Sequence, residues 1–186
     1  MYMHLIIFDW DDTLCPTSWM HDNNMVIHHH CLTRKQYESL HQCSTHVRGL
    51  LTTANLFGNV IIVTNSSPGW IEYCLDRFMV ACRDIVRACE IHYAWQATLP
   101  NPYTWKPYFL NQYRRGKIFY QVFGVGDTFN DILSVRHIFR TSTLTKTLKF
   151  LQDPSLEDLI QEIIMLGDCI HIIMTSTETV DLCIQR

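Results

Sequence analysis

Short apolar runs recur along the chain at intervals that suit buried strands. His4 to Phe8, Val60 to Val63 and Ile118 to Val125 are almost wholly apolar and include β-branched or aromatic residues. Such runs are typical of central strands in a parallel sheet, because helices cover both faces of those strands. Two weaker runs predict further strands, at Ile91 to Ala94 and at Lys146 to Phe150.

Stretches with helical periodicity separate these runs. Thr33 and Gln36 form the pattern of a capping box, and apolar residues then recur roughly every 3.6 positions until Gly58. The polar tail from Thr175 is expected to be less ordered. The helical period predicts four further helices, at Ile71 to Ala88, Trp105 to about Tyr113, after Asn130-Asp131 to about His137, and Leu156 to about Ile173.

This alternation of strand and helix predicts an α/β fold. It favours a three-layer, Rossmann-like architecture, with a central and mostly parallel sheet of about five strands and helices on both faces. The length of 186 residues and the apolar fraction of 47% suit a single domain. We expect a core over residues 1–151, a helix and tail over 152–186, and a possible small flap over 17–32.

The composition limits the cellular compartments and the classes of partner that we expect. No apolar run reaches the roughly 18 residues that a membrane span needs, and Met1 to His4 lacks the pattern of a leader. The eight cysteines form no Cys-x-x-Cys pair, which favours buried free thiols. We therefore expect a cytoplasmic protein without membrane attachment, with a nuclear location as the open alternative. The net charge of -3 argues against a nucleic-acid partner.

Acidic residues gather where the first predicted strand ends. Asp9, Asp11 and Asp12 lie within four positions, and like charges so close raise each other's pKa unless a positive group lies among them. The cluster therefore indicates a bound cation. Open α/β folds bind their ligands at the carboxyl ends of parallel strands, and two later strands deliver Thr64 and Asp127 to the same edge.

Four motifs at these positions occur in an order that is characteristic of one enzyme superfamily. They are Asp9-x-Asp11-x-Thr13, Thr64, Lys106, and Gly126-Asp127 followed by Asp131. This pattern, over residues 5–135, resembles the haloacid dehalogenase superfamily of phosphohydrolases. The chain is further similar to a eukaryotic branch of small proteins in that superfamily through Phe8 to Leu14, Val63-Thr64-Asn65, Gly69-Trp70, Trp105-Lys106 and Thr145 to Phe150.

The resemblance implies catalysis through an aspartyl-phosphate. Asp9 would attack the phosphorus, while Asp11 would protonate the leaving alcohol and then deprotonate the attacking water. Thr64 and Asn65 would bind phosphoryl oxygens. Lys106 would also contact the substrate and neutralise both the nucleophile and the charge that develops in the transition state.

The resemblance also implies Mg²⁺ as the cofactor. This ion prefers oxygen ligands in octahedral geometry, commonly a few carboxylates together with water and phosphate. Asp9, the backbone carbonyl of Asp11, and Asp127 fit that demand. Asp131 would be an additional ligand or would hold a metal-bound water.

For some of these assignments the sequence offers an alternative residue or role. Thr64 could cap the following helix, with Ser66 or Ser67 contacting phosphate in its place. Lys117 is a second candidate for the lysine. Asp12 is expected to be structural or solvated.

Aromatic and histidine residues near the motifs carry weaker signals. Packing is the main role expected of the five tryptophans, but Trp10 and Trp70 fall in the expected active-site loops and are candidates to touch substrate. The segment His28 to Cys31 has the composition of a metal site. Consecutive residues rarely converge on one ion, so we do not expect a native metal site there.

The intervals between the motifs leave no room for a large cap domain. Core elements fill the stretch from Ser66 to Lys106, and the stretch from Leu14 to Val60 has space for only a short flap around Trp19 to Cys31. In the resembled superfamily, an open site is associated with macromolecular substrates or with small molecules enclosed by an oligomeric partner.

The sequence therefore favours a phosphatase that acts on a phosphoprotein or a small phosphate ester. Two alternatives stay open: a binding module that keeps the fold but has negligible activity, and a phosphotransferase. The apolar C-terminal helix, Leu156 to Ile173, could mediate a homodimer.

Overall fold

A computed structural model describes residues 3–25, 32–95, 99–140 and 143–185. Strands and helices alternate along this part of the chain, as the sequence pattern predicts. The strands are β1 (Met3–Phe8), β2 (Asn59–Thr64), β3 (Glu90–Tyr93), β4 (Phe119–Gly126), β5 (Leu144–Lys149) and β6 (Val180–Cys183). The α-helices are α1 (Thr17–Asp22), α2 (Arg34–Ala54), α3 (Trp70–Arg77), α4 (Arg83–Ala88), α5 (Trp105–Tyr113), α6 (Phe129–Phe139) and α7 (Leu156–Thr175).

The strands form one sheet in the order β3-β2-β1-β4-β5-β6, and every neighbouring pair is parallel. The strand order reverses beside β1, which pairs with β2 on one side and with β4 on the other. In open α/β sheets, ligands bind at the carboxyl ends of the strands where the order reverses. The loop after Phe8 therefore leaves the sheet at its expected ligand-binding edge.

Two hydrophobic cores lie on the two faces of the sheet. Alternate residues of β1 face opposite sides: Ile6 and Phe8 belong to one core, and Leu5 and Ile7 belong to the other. The larger core also contains the buried sides of α2, α3 and α7, whereas α5 and α6 cover the smaller one. The three-layer architecture predicted from the sequence is confirmed.

The sheet has six strands rather than about five, because part of the C-terminal tail joins it. Val180–Cys183 pairs in parallel with β5, although the tail from Thr175 was expected to be less ordered. The segment has four residues and lies largely exposed at the edge of the sheet, so it carries neither a buried run nor a clear alternation. Its partners supply the order instead: the carboxylate of Asp181 accepts hydrogen bonds from Arg136 and Thr147.

The helix predicted over Ile71 to Ala88 is broken. Helix α3 ends where the backbone N–H groups of both Phe78 and Met79 donate to the carbonyl of Cys74. A short 3₁₀ helix at Val80–Cys82 then leads into α4. Phe78, Met79 and Cys82 are all buried. The helical spacing of apolar residues therefore continues through the break, so the sequence pattern does not reveal it.

The region predicted as a flap is partly described. Helix α1 has six residues, and Met20 and Met25 are buried against the larger core. The segment His28 to Cys31 lies outside the described residues. No helix in the described part of the chain is long and apolar enough to span a bilayer.

The apolar side of α7 packs within the chain. Its buried residues contact the larger core, and the helix lies against α2. The side that could mediate a homodimer is therefore already covered, although Met165 and Ile172 are exposed on the same helix.

Candidate active site

Asp9 is the first residue after β1 and remains tied to the sheet. Its backbone N–H donates to the carbonyl of Val125 on β4. Its Oδ1 atom accepts a hydrogen bond of 2.7 Å from the backbone N–H of Trp10 and lies 2.7 Å from Nζ of Lys106. The carboxylate is 7% exposed and is fixed from two directions.

Lys106 joins Asp9 to a second carboxylate from a distant part of the chain. Its Nζ atom lies 2.5 Å from Oδ1 of Asp131, near the start of α6. The other oxygen of Asp131 accepts from the backbone N–H and the hydroxyl of Thr128, which forms a capping box with Asp131. The lysine is itself buried in the first turn of α5. Two separate segments thus converge on the ammonium group of a third.

Asp127 completes a group of three buried carboxylates. Oxygens of Asp9, Asp127 and Asp131 lie within 4.8 Å of one another. The glycine that ends β4 permits this approach, because a Cβ atom on Gly126 would lie 2.5 Å from Cβ of Asp131. Helix α6 can therefore bring Asp131 against the strand end only if residue 126 has no side chain.

The cluster carries an excess of buried negative charge. Burial raises the pKa of Asp9 well above its usual value, Lys106 opposes this rise, and the neighbouring carboxylates add to it. Burial and the charge of Asp131 raise the pKa of Asp127 to about 7. Burial by itself would lower the pKa of Lys106, but the carboxylates of Asp131 and Asp9 raise it. Lys106 balances one of the three carboxylates, which leaves a formal excess of two charges.

This donor set fits a divalent cation. Hard oxygen ligands suit Mg²⁺. A charge of two would offset the excess negative charge, which adds to burial in raising the pKa values of Asp9 and Asp127. The fit rests on Asp9, Asp127 and Asp131, the three carboxylates that the structure brings together.

Asp11 lies in the same loop but has different neighbours. Oδ1 accepts hydrogen bonds from Thr17 Oγ1 at 2.7 Å and from Trp70 Nε1 at 2.8 Å. Oδ2 accepts from Thr64 Oγ1 at 3.0 Å and from Ser66 Oγ at 2.6 Å. The carboxylate is therefore held by four neutral donors from three segments of the chain.

Thr64 is buried at the end of β2, beside Asp11 rather than in open space. Its hydroxyl donates to Asp11 and accepts from the backbone N–H of Ser66. Ser66, one of the alternative candidates for contacting phosphate, donates from its Oγ atom to the same carboxylate. Asn65 lies between them, and its buried Oδ1 atom has no hydrogen-bond partner within the described ranges.

Asp12 and Thr13 lie next to each other in the loop but differ in their contacts. Asp12 adopts a φ of 52° and accepts from the backbone N–H and the hydroxyl of Ser18, which ties the start of α1 to the loop. Its structural role agrees with the expectation. Thr13 is fully buried, and its hydroxyl makes no hydrogen bond to any described residue.

The remaining candidate residues, two tryptophans and a lysine, differ in whether they lie at the site. Trp10 is fully buried in the larger core and cannot face a substrate, whereas Trp70 is half-buried and donates to Asp11. Lys117 lies in the turn before β4, at the opposite end of the strands, where its ammonium contacts the ring of Tyr113. Lys106 is thus the lysine at the site.

Sequence reasoning missed Thr17 and Thr128 and did not foresee the contact of Trp70 with Asp11. Thr128 had a readable signal, since Thr-x-x-Asp at the start of a helix is a capping-box pattern. Thr17 and Trp70 had none, because each meets Asp11 only through tertiary packing.

Comparisons of the chain with protein-family models, with curated proteins and with solved structures found no match.

Proposed function

We propose that the protein is a Mg²⁺-dependent phosphohydrolase of the haloacid dehalogenase type, acting on phosphate monoesters through an aspartyl-phosphate. The observation that carries the proposal is the bridge that Lys106 forms between Asp9 and Asp131, with Asp127 beside them, at the edge where the strand order reverses. The resemblance of the four motifs to that superfamily supports the same conclusion.

Two carboxylates divide the chemistry. An oxygen of Asp9 bonds to the phosphorus while the bond to the alcohol oxygen breaks, and Asp11 gives its proton to that oxygen. Water then attacks the phosphorus of the aspartyl-phosphate, and Asp11 takes a proton from the water. The bond to Asp9 breaks, inorganic phosphate leaves, and both carboxylates return to their starting states.

Neighbouring groups position the reactants and offset charge. Lys106 holds Asp9 at 2.7 Å and, from its buried position, stabilises charge on the phosphoryl oxygens. Thr64 and Asn65 bind phosphoryl oxygens at the end of β2. Ile7, Val63, Leu110, Val125 and Val135 line the same small cavity as Asp9, Lys106 and Asp131, and this apolar wall strengthens the electrostatic interactions.

Mg²⁺ would be held by Asp9, Asp127, Asp131 and the backbone carbonyl of Asp11. When bound, it would neutralise the clustered carboxylates and polarise a phosphoryl oxygen.

The substrate class that we propose is a phosphoprotein or a small phosphate ester. In the described part of the chain, the inserted structure near the site consists of the six-residue helix α1, and no separate domain covers the strand ends. A net charge of -3 makes a polynucleotide the less favourable choice.

Hydrolysis of an aryl phosphate tests the proposal. Wild-type protein should release the phenol in the presence of Mg²⁺ and lose this activity on chelation, and Asp9→Asn should be inactive while it stays folded. Release of phosphate in water, without transfer to an added alcohol, would distinguish hydrolysis from phosphotransfer. Wild-type protein that turns over no aryl or alkyl phosphate would contradict the proposal.

A further inference from the structure

We propose that Trp70 and Thr17 are positioning residues for Asp11, and that they hold its Oδ1 atom while a bound phosphoryl group takes over the donors of Oδ2. This inference rests on the proposed function. The sequence does not reveal this role for the indole of Trp70 or for the hydroxyl of Thr17.

Four donors use the full hydrogen-bonding capacity of Asp11. An ionised carboxylate accepts at about four lone-pair positions, and four donors fill them at distances of 2.6 to 3.0 Å. In this arrangement Asp11 has no free acceptor position for an attacking water. At least one donor must leave before Asp11 can exchange a proton with a substrate or a water.

The two oxygens differ in which donor can leave. Oδ2 is held by the hydroxyls of Thr64 and Ser66, which belong to the loop proposed to bind phosphate. Each hydroxyl carries one proton, so a hydroxyl that donates to a phosphoryl oxygen no longer donates to Asp11. Phosphoryl binding therefore frees Oδ2 of Asp11, which then takes up from water the proton that it gives to the leaving oxygen, and this oxygen faces the reacting group.

The donors of Oδ1 are anchored away from that loop. The indole ring of Trp70 stacks against Tyr73 on one neighbouring turn and against His21 of α1, with ring centroids 5.7 and 6.2 Å away. Thr17 begins α1, whose next residue is tied to the loop by two hydrogen bonds to Asp12. Both donors are fixed by contacts that do not involve the phosphoryl group, so they can keep Asp11 oriented after Oδ2 is released.

Comparing substrates with different leaving groups distinguishes a positioning role for Asp11 from a general loss of activity. An alkyl phosphate needs a proton on its leaving oxygen, whereas a nitrophenyl phosphate does not, so kcat/KM for the alkyl substrate depends more on a well-placed Asp11. Trp70→Phe and Thr17→Val should each lower kcat/KM for the alkyl phosphate by about tenfold or more, as expected for loss of a hydrogen bond to a charged group. Their kcat/KM for the aryl phosphate should fall much less.

Matched variants control for packing. Thr17→Ser keeps the hydroxyl and should restore the alkyl activity that Thr17→Val loses. Trp19→Phe makes the same aromatic substitution in α1, outside the proposed site, and should leave the ratio of aryl to alkyl kcat/KM unchanged. If Trp70→Phe does not fold, the Thr17 pair alone decides the question.

A spectroscopic readout does not depend on turnover. In Asp9→Asn protein, the indole N–H resonance of Trp70, assigned by its loss in Trp70→Phe, should keep its hydrogen-bonded position when inorganic phosphate is added. It should move when Asp11 is replaced by Asn. Movement of the resonance to the position of a free indole on phosphate addition would overturn the inference.

The failures of the two proposals are distinguishable. A wild-type protein that hydrolyses phosphate monoesters, with variants that lose aryl and alkyl activity equally, would overturn the positioning role and leave the proposed function standing. A wild-type protein that hydrolyses neither substrate would remove both.

Discussion

The ammonium of Lys106 lies 2.7 Å from Asp9 and 2.5 Å from Asp131, so one buried lysine bridges the end of β1 and the start of α6. Both carboxylates and the lysine are less than 9% exposed. The bridge therefore contributes both to the stability of the fold at this edge and to the chemistry proposed there.

Lys106→Met should damage stability and activity together. Removing one partner of a buried ion pair leaves the other charges uncompensated, which costs about 3–5 kcal/mol. Phosphatase activity should fall at least about a hundredfold, since a charged donor is lost from the site. Urea unfolding and aryl phosphate hydrolysis measure the two effects.

Lys117→Met is the matched control for this substitution. Lys117 contacts Tyr113 at the other end of the strands, so its loss should leave activity unchanged. Equal loss of activity in the two variants would contradict the assignment of the lysine.

Stability of the protein without metal should fall as pH rises from about 4 to about 7. Burial first, and then the charge of Asp131, raise the pKa of Asp127 to about 7 from an ordinary value of 3.8. The folded state therefore binds more protons than the unfolded state in this range, so unfolding becomes easier as protons are lost. The contribution is on the order of 4 kcal/mol in total.

Unfolding in urea at pH 5 and pH 8, in the presence of a chelator, measures this dependence. Asp127→Asn cannot ionise, so its stability should change less between the two pH values. A variant with the same pH dependence as the wild type would show that Asp127 is not responsible.

Mg²⁺ should raise the free energy of unfolding of the wild type at neutral pH. An ion that binds only the folded state stabilises it by about 2.7 kcal/mol at a concentration one hundred times its dissociation constant. Asp127→Ala should lose most of this gain. Asp84→Asn, an exposed acid on α4, should keep it, and thermal unfolding with and without the ion compares the three proteins.

Much of the fold could be predicted because burial leaves a strong signal. The runs His4 to Phe8 and Ile118 to Val125 correspond to β1 and β4 within one residue, and each is buried on both faces over its C-terminal part. Val180–Cys183 gave no such signal, since an exposed edge strand is ordered by its neighbours rather than by its own apolar content.

The part of the candidate site that lies at strand ends could be predicted from the sequence. Thr64 is the last residue of β2, Asp9 and Asp127 directly follow β1 and β4, and a parallel sheet brings those strand ends together. The set of hydrogen-bond donors around Asp11 could not be predicted from the sequence. Thr17 and Trp70 lie 53 positions apart and meet only after α1 and α3 pack.

Gly126→Ala should displace α6 and impair the site. The added methyl would lie 2.5 Å from Cβ of Asp131, so the helix must move and weaken the contact of Asp131 with Lys106. Overpacking of this kind costs about 1–3 kcal/mol, and activity should fall along with stability. Gly167→Ala is the control, because nothing lies within 4 Å of its added methyl and alanine favours the interior of α7.

Lys146→Met should destabilise the C-terminal layer while it leaves the chemistry intact. Lys146 is fully buried on β5, and its ammonium donates to the carbonyls of Ile173 and Ser176 and to Gln121. Burial lowers the pKa of this lysine, and the negative end of α7 favours its positive charge.

Methionine keeps the length of the Lys146 side chain but leaves those carbonyls without their donor. The expected loss is about 2–3 kcal/mol, seen in urea unfolding. At temperatures where the variant is folded, kcat/KM should match the wild type, because Lys146 contacts the end of α7 and none of the proposed catalytic residues. A drop in kcat/KM for folded protein would instead show that the position of α7 is transmitted through β5 to the site.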